Sequence, residues 1–380
     1  MTIARIARVE ALPLAIPLVQ EFHWSGGAQV GANLVLFAVH TDDGVTGYGE
    51  SVCEDPRAVV AYGDLMARQI VGHSPGDVEA ILQSIWTRGR WRTTPQFTQF
   101  IMAGIEGACW DAFGRALGVP SRSFFGGAVR EEIDYFGFLQ GDDPETLAAH
   151  ARQFAEHAVI YLKVGRAARD DEACIAAVRD AIGPEKLLRI DPNEVWDAAT
   201  AVERIRRLER YDLDWVEQPV PHYDVAGLAH VRRSVQTKIA ADQAVYTVPQ
   251  LRHVLEREAA DVIVQGGHDA GGLLRLRQQA FLTEAYGLKF NLHSFMQSDI
   301  SFLAHAQVAS TIPNLTLGNQ VMHQLLAERL TASPPVDVPG GRYRLNDAPG
   351  HGFEIDLDAV GLANERWQRD GAYNTIESLK

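Results

Sequence analysis

From about Ile133 onward the chain repeats one pattern: a short apolar run, a loop, an amphipathic stretch, then another apolar run. The runs are Tyr135–Leu139, Tyr161–Val164, Leu187–Ile190, Trp215–Val216, Ile239–Ala241, Val262–Gln265, Phe290–Leu292 and Leu315–Leu317. Stretches such as Pro144–Ala158, Asp170–Ile182, Ala198–Tyr211 and Gly272–Tyr286 lie between them with helical spacing of apolar residues. Eight strand-like runs alternating with helices predict an α/β fold of the (β/α)8 barrel type. An open doubly wound sheet usually has fewer strands and a Gly-rich phosphate turn after the first. Here Gly266-Gly267 and Gly271-Gly272 come late and do not form GxGxxG.

Three successive runs end in carboxylates: Asp191, Glu217 and Asp242. Their spacing is roughly 25 residues, the length of one β/α repeat. On neighbouring parallel strands they converge at one rim. Three hard oxygen ligands on a rigid scaffold form a Mg²⁺ site. Tyr161 and Lys163 are two apart on a strand, so they share a face. Pointing inward, both approach the carboxylates. Asn193 follows Asp191, Gln218 follows Glu217, and His293 closes the seventh run. This set suits removal of a proton next to a substrate carboxylate, with the metal stabilising the charge where it develops. Lys163 is the candidate base, provided burial or a cationic neighbour lowers its pKa. His293 is a second candidate acid/base on another wall.

The first third reads as α+β. Ile6–Pro17, Asn33–Val39 and Val45–Glu50 are strand-like, and Arg57–Val71, Val78–Arg88 and Gln96–Leu117 have helical periodicity. After Leu330 the periodicity stops at Pro334-Pro335, Pro339-Gly340-Gly341 and Pro349-Gly350. A short strand at Phe353–Ile355 is expected to rejoin the N-terminal module. The expected division is a cap over 1–128, a barrel over 129–330 and a returning segment over 331–380. A net charge of −14 and a pI near 5.4 argue against nucleic acid or an anionic membrane as partner. Arg88, Arg90 and Arg92 around Trp91 therefore read as cap surface. Cys53, Cys109 and Cys174 show no CxxC spacing and fit a reducing compartment. With no signal-like start and no membrane-length apolar run, a cytoplasmic location is expected. A barrel metallohydrolase usually needs a His-x-His on the first strand, and Phe136-Gly137-Phe138 offers none.

Further motifs extend along the chain. They include Gly44-Val45-Thr46-Gly47-Tyr48-Gly49-Glu50, Cys109-Trp110-Asp111, Phe125-Gly126-Gly127, Leu162-Lys163-Val164-Gly165, Asp191-Pro192-Asn193, Trp215-Val216-Glu217-Gln218-Pro219, Ala270-Gly271-Gly272-Leu273 and Pro349-Gly350-His351-Gly352. With them the chain resembles the enolase superfamily, in particular the mandelate racemase/muconate lactonizing enzyme family, over nearly its whole length. The resemblance implies a modified TIM-like barrel with an α+β cap, Mg²⁺ on Asp191, Glu217 and Asp242, and Lys163 as base. It also implies a small-molecule carboxylate substrate and a homo-oligomer.

The departures from that family pattern bear on the reaction. The strand-two motif is commonly Lys-x-Lys, and here it is Tyr161-x-Lys163. Strand six often ends in a lysine, or in an Asp that pairs with the strand-seven histidine. Counting from Asp261 to Gly271 puts that position at Gly266, so His293 is expected to lack its Asp. The strand-eight glutamate is replaced by Gly318-Asn319-Gln320. Without paired bases, dehydration of a hydroxy acid or sugar acid is expected. A racemase or epimerase, a cycloisomerase, and a metal-binding barrel without turnover are the alternatives. His23 and Trp24, on an N-terminal loop over the barrel, together with Tyr161 and Asn193, are the expected substrate contacts. His268 is expected to be a solvated loop residue, with a substitute acid/base role as the alternative.

Overall fold

The structure is a computed structural model that describes residues 4–88, 94–166, 169–333 and 336–374. Arg90, Trp91 and Arg92 of the expected basic patch, and Pro334-Pro335, lie outside the described residues.

In the cap, β1 (Ile6–Trp24) and β2 (Gly27–Thr41) form a long antiparallel hairpin, and β3 (Thr46–Cys53) pairs on the other side of β2. The β1–β2 ladder shifts register between Pro17 and Phe22. Pro17 has no amide proton for the ladder, which fits a break there. Helices α1 (Pro56–Ala67), α2 (Val78–Arg88) and α3 (Pro95–Leu117) follow. α1 starts where the Asp55 side chain accepts from the Arg57 amide, with proline just inside the helix.

The Gly-x-Gly motif of β3 has a steric cause. A Cβ at Gly49 would lie 2.2 Å from the Gly104 carbonyl oxygen, and one at Gly47 would lie 2.1 Å from the Ala112 amide nitrogen. The strand can therefore rest directly on the α3 backbone. Gly49→Ala is expected to destabilise the protein by about 1–3 kcal/mol through overpacking. A lower urea midpoint with an unchanged slope checks this.

The chain then alternates. The strands are β4 (Glu132–Asp134), β5 (Gly137–Phe138), β6 (Val159–Lys163), β7 (Leu187–Asp191), β8 (Leu213–Glu217), β9 (Lys238–Ala241), β10 (Val262–Gln265) and β11 (Lys289–Leu292). The helices between and after them are α4 (Pro144–Gln153), α5 (Asp171–Ile182), α6 (Ala198–Leu208), α7 (Val225–Ser234), α8 (Val248–Glu256), α9 (Gly267–Ala270), α10 (Leu273–Ala285) and α11 (Asp299–Ala309). Strands β5 to β11 form one parallel sheet in sequence order. The expected eighth run closes it without becoming a regular strand. Leu315 bridges Phe290 and Asn319 bridges Tyr135, both in parallel sense. The fold is thus the expected modified (β/α)8 barrel under an α+β cap.

The barrel interior below the rim holds a satisfied cation. Arg189 lies over the Trp215 ring at 3.4 Å from its centroid, and both residues are buried. The guanidinium bonds Asp214 and the carbonyls of Leu317 and Gly318, so it ties β7 to the closing segment.

The cap docks through two buried carboxylates. Glu106 accepts the Leu273 and Leu274 amides at the start of α10, and Glu50 accepts the Ser298 amide at the start of α11. Both helix starts offer free amides and a positive dipole end.

The tail corrects one expectation. It forms β12 (Thr331–Ser333), β13 (Arg342–Arg344) and β14 (Glu354–Ile355). β14 pairs with β12, and β13 pairs with β4, so this strand does not join the cap sheet. The segment still meets the cap helix α3, where Arg115 donates to the Phe353 carbonyl and Asp111 accepts the His351 amide, and further cap contact comes from α12 (Leu357–Asp370), a helix after the Pro/Gly-rich stretch. Asn364 Nδ2 donates to the Pro13 carbonyl at 2.7 Å and Arg366 donates to the Ala15 carbonyl at 2.8 Å. No described helix is long and apolar enough to cross a membrane.

Candidate active site

Asp191 and Glu217 are the last residues of β7 and β8, and Asp242 directly follows β9. All three are buried at the same rim of the barrel. The alternation of strand side chains turns Tyr161 and Lys163 toward them. The Tyr161 hydroxyl lies 2.7 Å from Asp191 Oδ2 and 2.9 Å from Glu217 Oε1, and Lys163 Nζ lies 2.5 Å from Asp191 Oδ2.

Residues just past the strands hold the carboxylates in place. The Asn193 backbone amide donates to Asp191 Oδ1 at 2.7 Å and its side-chain amide to Oδ2 at 2.9 Å. Gln218 Oε1 accepts the backbone amides of Asp242 and Ala244. Both residues adopt left-handed backbone, φ 49° at Asn193 and φ 34° at Gln218. Non-glycine residues held there store strain, which concentrates at functional sites. Gln320 Nε2 donates to Glu217 Oε1 at 2.9 Å.

The donor set fits a hard divalent cation. Glu217 Oε2 and both oxygens of Asp242 are buried and have no protein hydrogen-bond partner. Burial, then Asp191, pushes Glu217 up to about 7 against the pull of Lys163. Burial also pushes Asp242 well above the carboxylate range. Lys163 is opposed by burial but held above its ordinary value by Asp191 and Glu217. Three buried carboxylates facing one lysine have an excess of negative charge, and oxygen-only donors suit Mg²⁺.

The opposite wall overturns the reading of Gly266. His293 Nδ1 lies 2.7 Å from Asp269 Oδ2, so the histidine has its acidic partner. The one-turn helix α9 folds Asp269 back over the end of β10, and the Gly266 amide donates to the same oxygen at 3.0 Å. A Cβ at Gly266 would stand 2.8 Å from that oxygen. Gly266 is therefore clearance for the Asp269–His293 contact. Counting along the strand missed an acid supplied three residues later by a turn. A glycine followed at that spacing by an acid was the available signal, because it is a capping pattern.

Asp242, Asp269 and His293 also form a tight group of potential metal ligands. The two acids face different ring nitrogens, Asp269 at Nδ1 and Asp242 at Nε2, the latter at 3.7 Å. This arrangement orients and charges an imidazole. Burial lowers the His293 pKa, but Asp242 and Asp269 raise it to about 9.

His268 is not solvated. It is buried against Phe100 and His305, neither ring nitrogen has a hydrogen-bond partner, and burial pushes its pKa well down. His23 and Trp24 lie at the tip of the β1–β2 hairpin. Trp24 packs on Phe22, Phe22 stacks on Phe138, and Phe138 lies beside Tyr161. The tip therefore reaches the barrel mouth, where His23 lies 3.4 Å from Glu21.

Comparison with known proteins agrees with this geometry. Residues 7–126 match the mandelate racemase / muconate lactonizing enzyme N-terminal domain, and residues 146–359 match the enolase C-terminal domain-like family. The chain belongs to the enolase superfamily, within the mandelate racemase/muconate lactonizing enzyme family. It is 29% identical to muconate cycloisomerase 1 of Rhodococcus opacus, over 97% of this chain and 100% of the relative. It is 27% identical to a probable glucarate dehydratase of Streptomyces coelicolor, over 88% of this chain and 85% of the relative. Among solved structures, the N-succinyl Arg/Lys racemase of Bacillus cereus superposes with a TM-score of 0.88 at 25% identity, covering 94% of this chain and 98% of that one.

Proposed function

We propose that this chain removes the α-proton of a small hydroxy carboxylate, such as a sugar acid, and expels the neighbouring hydroxyl as water. The Asp269–His293 contact removes the missing-partner argument by which the sequence favoured dehydration, and supports this reading on another ground: it holds a charged imidazole able to act as acid toward a leaving hydroxyl, with Lys163 on another wall and the carboxylate strands between them. Asp191, Glu217 and Asp242 are the residues that would hold Mg²⁺. When bound, the ion supplies Lewis-acid stabilisation of charge developing on the substrate carboxylate.

The protein groups divide the proton work. Lys163 serves as base only in its neutral form, which requires Asp191 and Glu217 to be engaged elsewhere than on its ammonium. Its Nζ then takes the α-proton. The C–H electron pair becomes the Cα–Cβ double bond, and the Cβ–O bond breaks. His293 Nε2 gives its proton to the departing oxygen, which leaves as water. Asp269 fixes the ring through Nδ1 and stabilises its charged form. Where the α-carbon also carries a hydroxyl, as in a sugar acid, the product is an enol that tautomerises to a 2-keto acid.

A second reading is racemisation or epimerisation. The same observation favours it, because a histidine with its acid can exchange a proton at the opposite face of the α-carbon. Relatives include a racemase and the L-Ala-D/L-Glu epimerase of Bacillus subtilis. A panel of sugar acids, hydroxy acids and N-acyl amino acids, incubated with Mg²⁺ in D2O, separates the two. Water loss giving a keto acid is expected. Deuterium at the α-carbon with inversion and no loss of water overturns dehydration in favour of the second reading.

A further inference from the structure

We infer that Tyr161 and Gln320 are positioning residues that select which carboxylate oxygens face a bound divalent cation; this rests on the metal-centre reading above. The Tyr161 hydroxyl spans two separate carboxylates, at 2.7 Å from Asp191 Oδ2 and 2.9 Å from Glu217 Oε1. A phenol carries one O–H proton, so the two acceptors share it and are held to one spacing. Gln320 Nε2 donates to the same Glu217 oxygen at 2.9 Å. Glu217 Oε1 is therefore committed to neutral protein groups, while Oε2 is bare and buried. The result is a carboxylate with one oxygen anchored and the other presented.

Asp191 is anchored more heavily at Oδ2, which receives Tyr161, Lys163 and the Asn193 side chain. The tyrosine is itself rigidly placed. Its ring stacks on Phe136 with centroids 4.5 Å apart and planes at 15°, and Phe138 packs beside it. Gln320 is fixed by accepting the Ser294 amide at 3.3 Å. Groups that orient ligands in this way commonly change metal affinity 10–100-fold when removed.

The test is calorimetric titration of Mn²⁺ into the full chain, with the electron paramagnetic resonance spectrum of the bound ion as a second readout. Tyr161→Phe keeps the stacked ring and removes the hydroxyl. It is expected to weaken Mn²⁺ binding about 10–100-fold and to alter the spectrum. Gln320→Leu is expected to act in the same direction. The double variant should lose less than the product of the single effects, since both groups hold one oxygen. The metal-free unfolding temperature of Tyr161→Phe is the control for packing, and Gln320→Leu carries the test alone if that variant does not fold. Mn²⁺ affinity within about 2-fold of the parent in a folded variant, with an unchanged spectrum, overturns the inference. A parent protein that binds no Mn²⁺ sinks the metal-centre reading itself, and the positioning role falls with it.

Discussion

Lys163→Ala is expected to lower kcat on the order of 10³-fold and to abolish deuterium exchange at the substrate α-carbon. That factor corresponds to about 4 kcal/mol of barrier, at about 1.4 kcal/mol per tenfold. The geometry assigns the loss to chemistry. Lys163 ends β6, lies beside the metal-ligand candidates and points into the barrel, with Nζ 2.5 Å from Asp191 Oδ2. Removing the ammonium leaves the buried Asp191 carboxylate without its cationic partner, so the metal-free variant should unfold at a lower temperature, and its folding is checked before turnover is read. Lys163→Arg should not rescue, because a guanidinium stays protonated in proteins and cannot serve as base. Single-turnover assays in D2O, beside a Mn²⁺ titration, check this. Unchanged turnover in a folded variant would remove Lys163 from the chemistry, whereas a parent without turnover on any acid tested would leave a metal-binding barrel.

The barrel was legible because its signal is periodic. Most strands are apolar runs buried on both faces and most barrel helices are amphipathic, α11 being buried all round, so the alternation survives in the linear sequence. The carboxylates were legible for the same reason: they terminate runs, and adjacent parallel strands bring their ends together. Three things were not legible. Asp269 reaches the site through the turn α9, and a turn breaks the spacing that strand counting relies on. The Leu315–Leu317 run was expected, but its irregular form was not legible: the segment meets its neighbours at isolated bridges instead of a regular ladder, and Gly318 there has φ 63°, with a Cβ that would meet Val159. Helix α12 follows a tail rich in proline and glycine, which read as the end of periodic structure, although Asp356 caps it through the Asp358 and Ala359 amides. His268 was misplaced for a different reason. A polar residue among glycines looks solvated, but here the glycines allow α3 of the cap to cover the loop. Gly271 and Gly272 would drive a Cβ into Gln99 and Glu106.

These corrections converge on His293, whose role depends on Asp269. Asp269→Asn preserves the shape of the contact and removes its charge. In the metal-free protein burial lowers the His293 pKa, while Asp242 and Asp269 together raise it from 6.5 to about 9. Without the Asp269 charge that value should fall, read directly by NMR titration of the ring. The sign for stability follows. A histidine raised on folding contributes stability that is fully present below 6.5 and is lost as pH rises through about 9. The variant should lose part of that contribution in neutral solution. For catalysis, loss of the partner that fixes tautomer and charge should lower kcat by about 10²–10⁴-fold. The basic limb of the pH profile should move to lower pH, because the acid loses its proton earlier. The partition of products is the sharper outcome. If His293 only protonates the leaving hydroxyl, Asp269→Asn should slow water loss while Lys163 still exchanges the α-proton with solvent. If His293 is instead a second base on the α-carbon, exchange from one face must fall with turnover. Equal activity and an unchanged pH profile in a folded Asp269→Asn variant would remove His293 from the chemistry altogether.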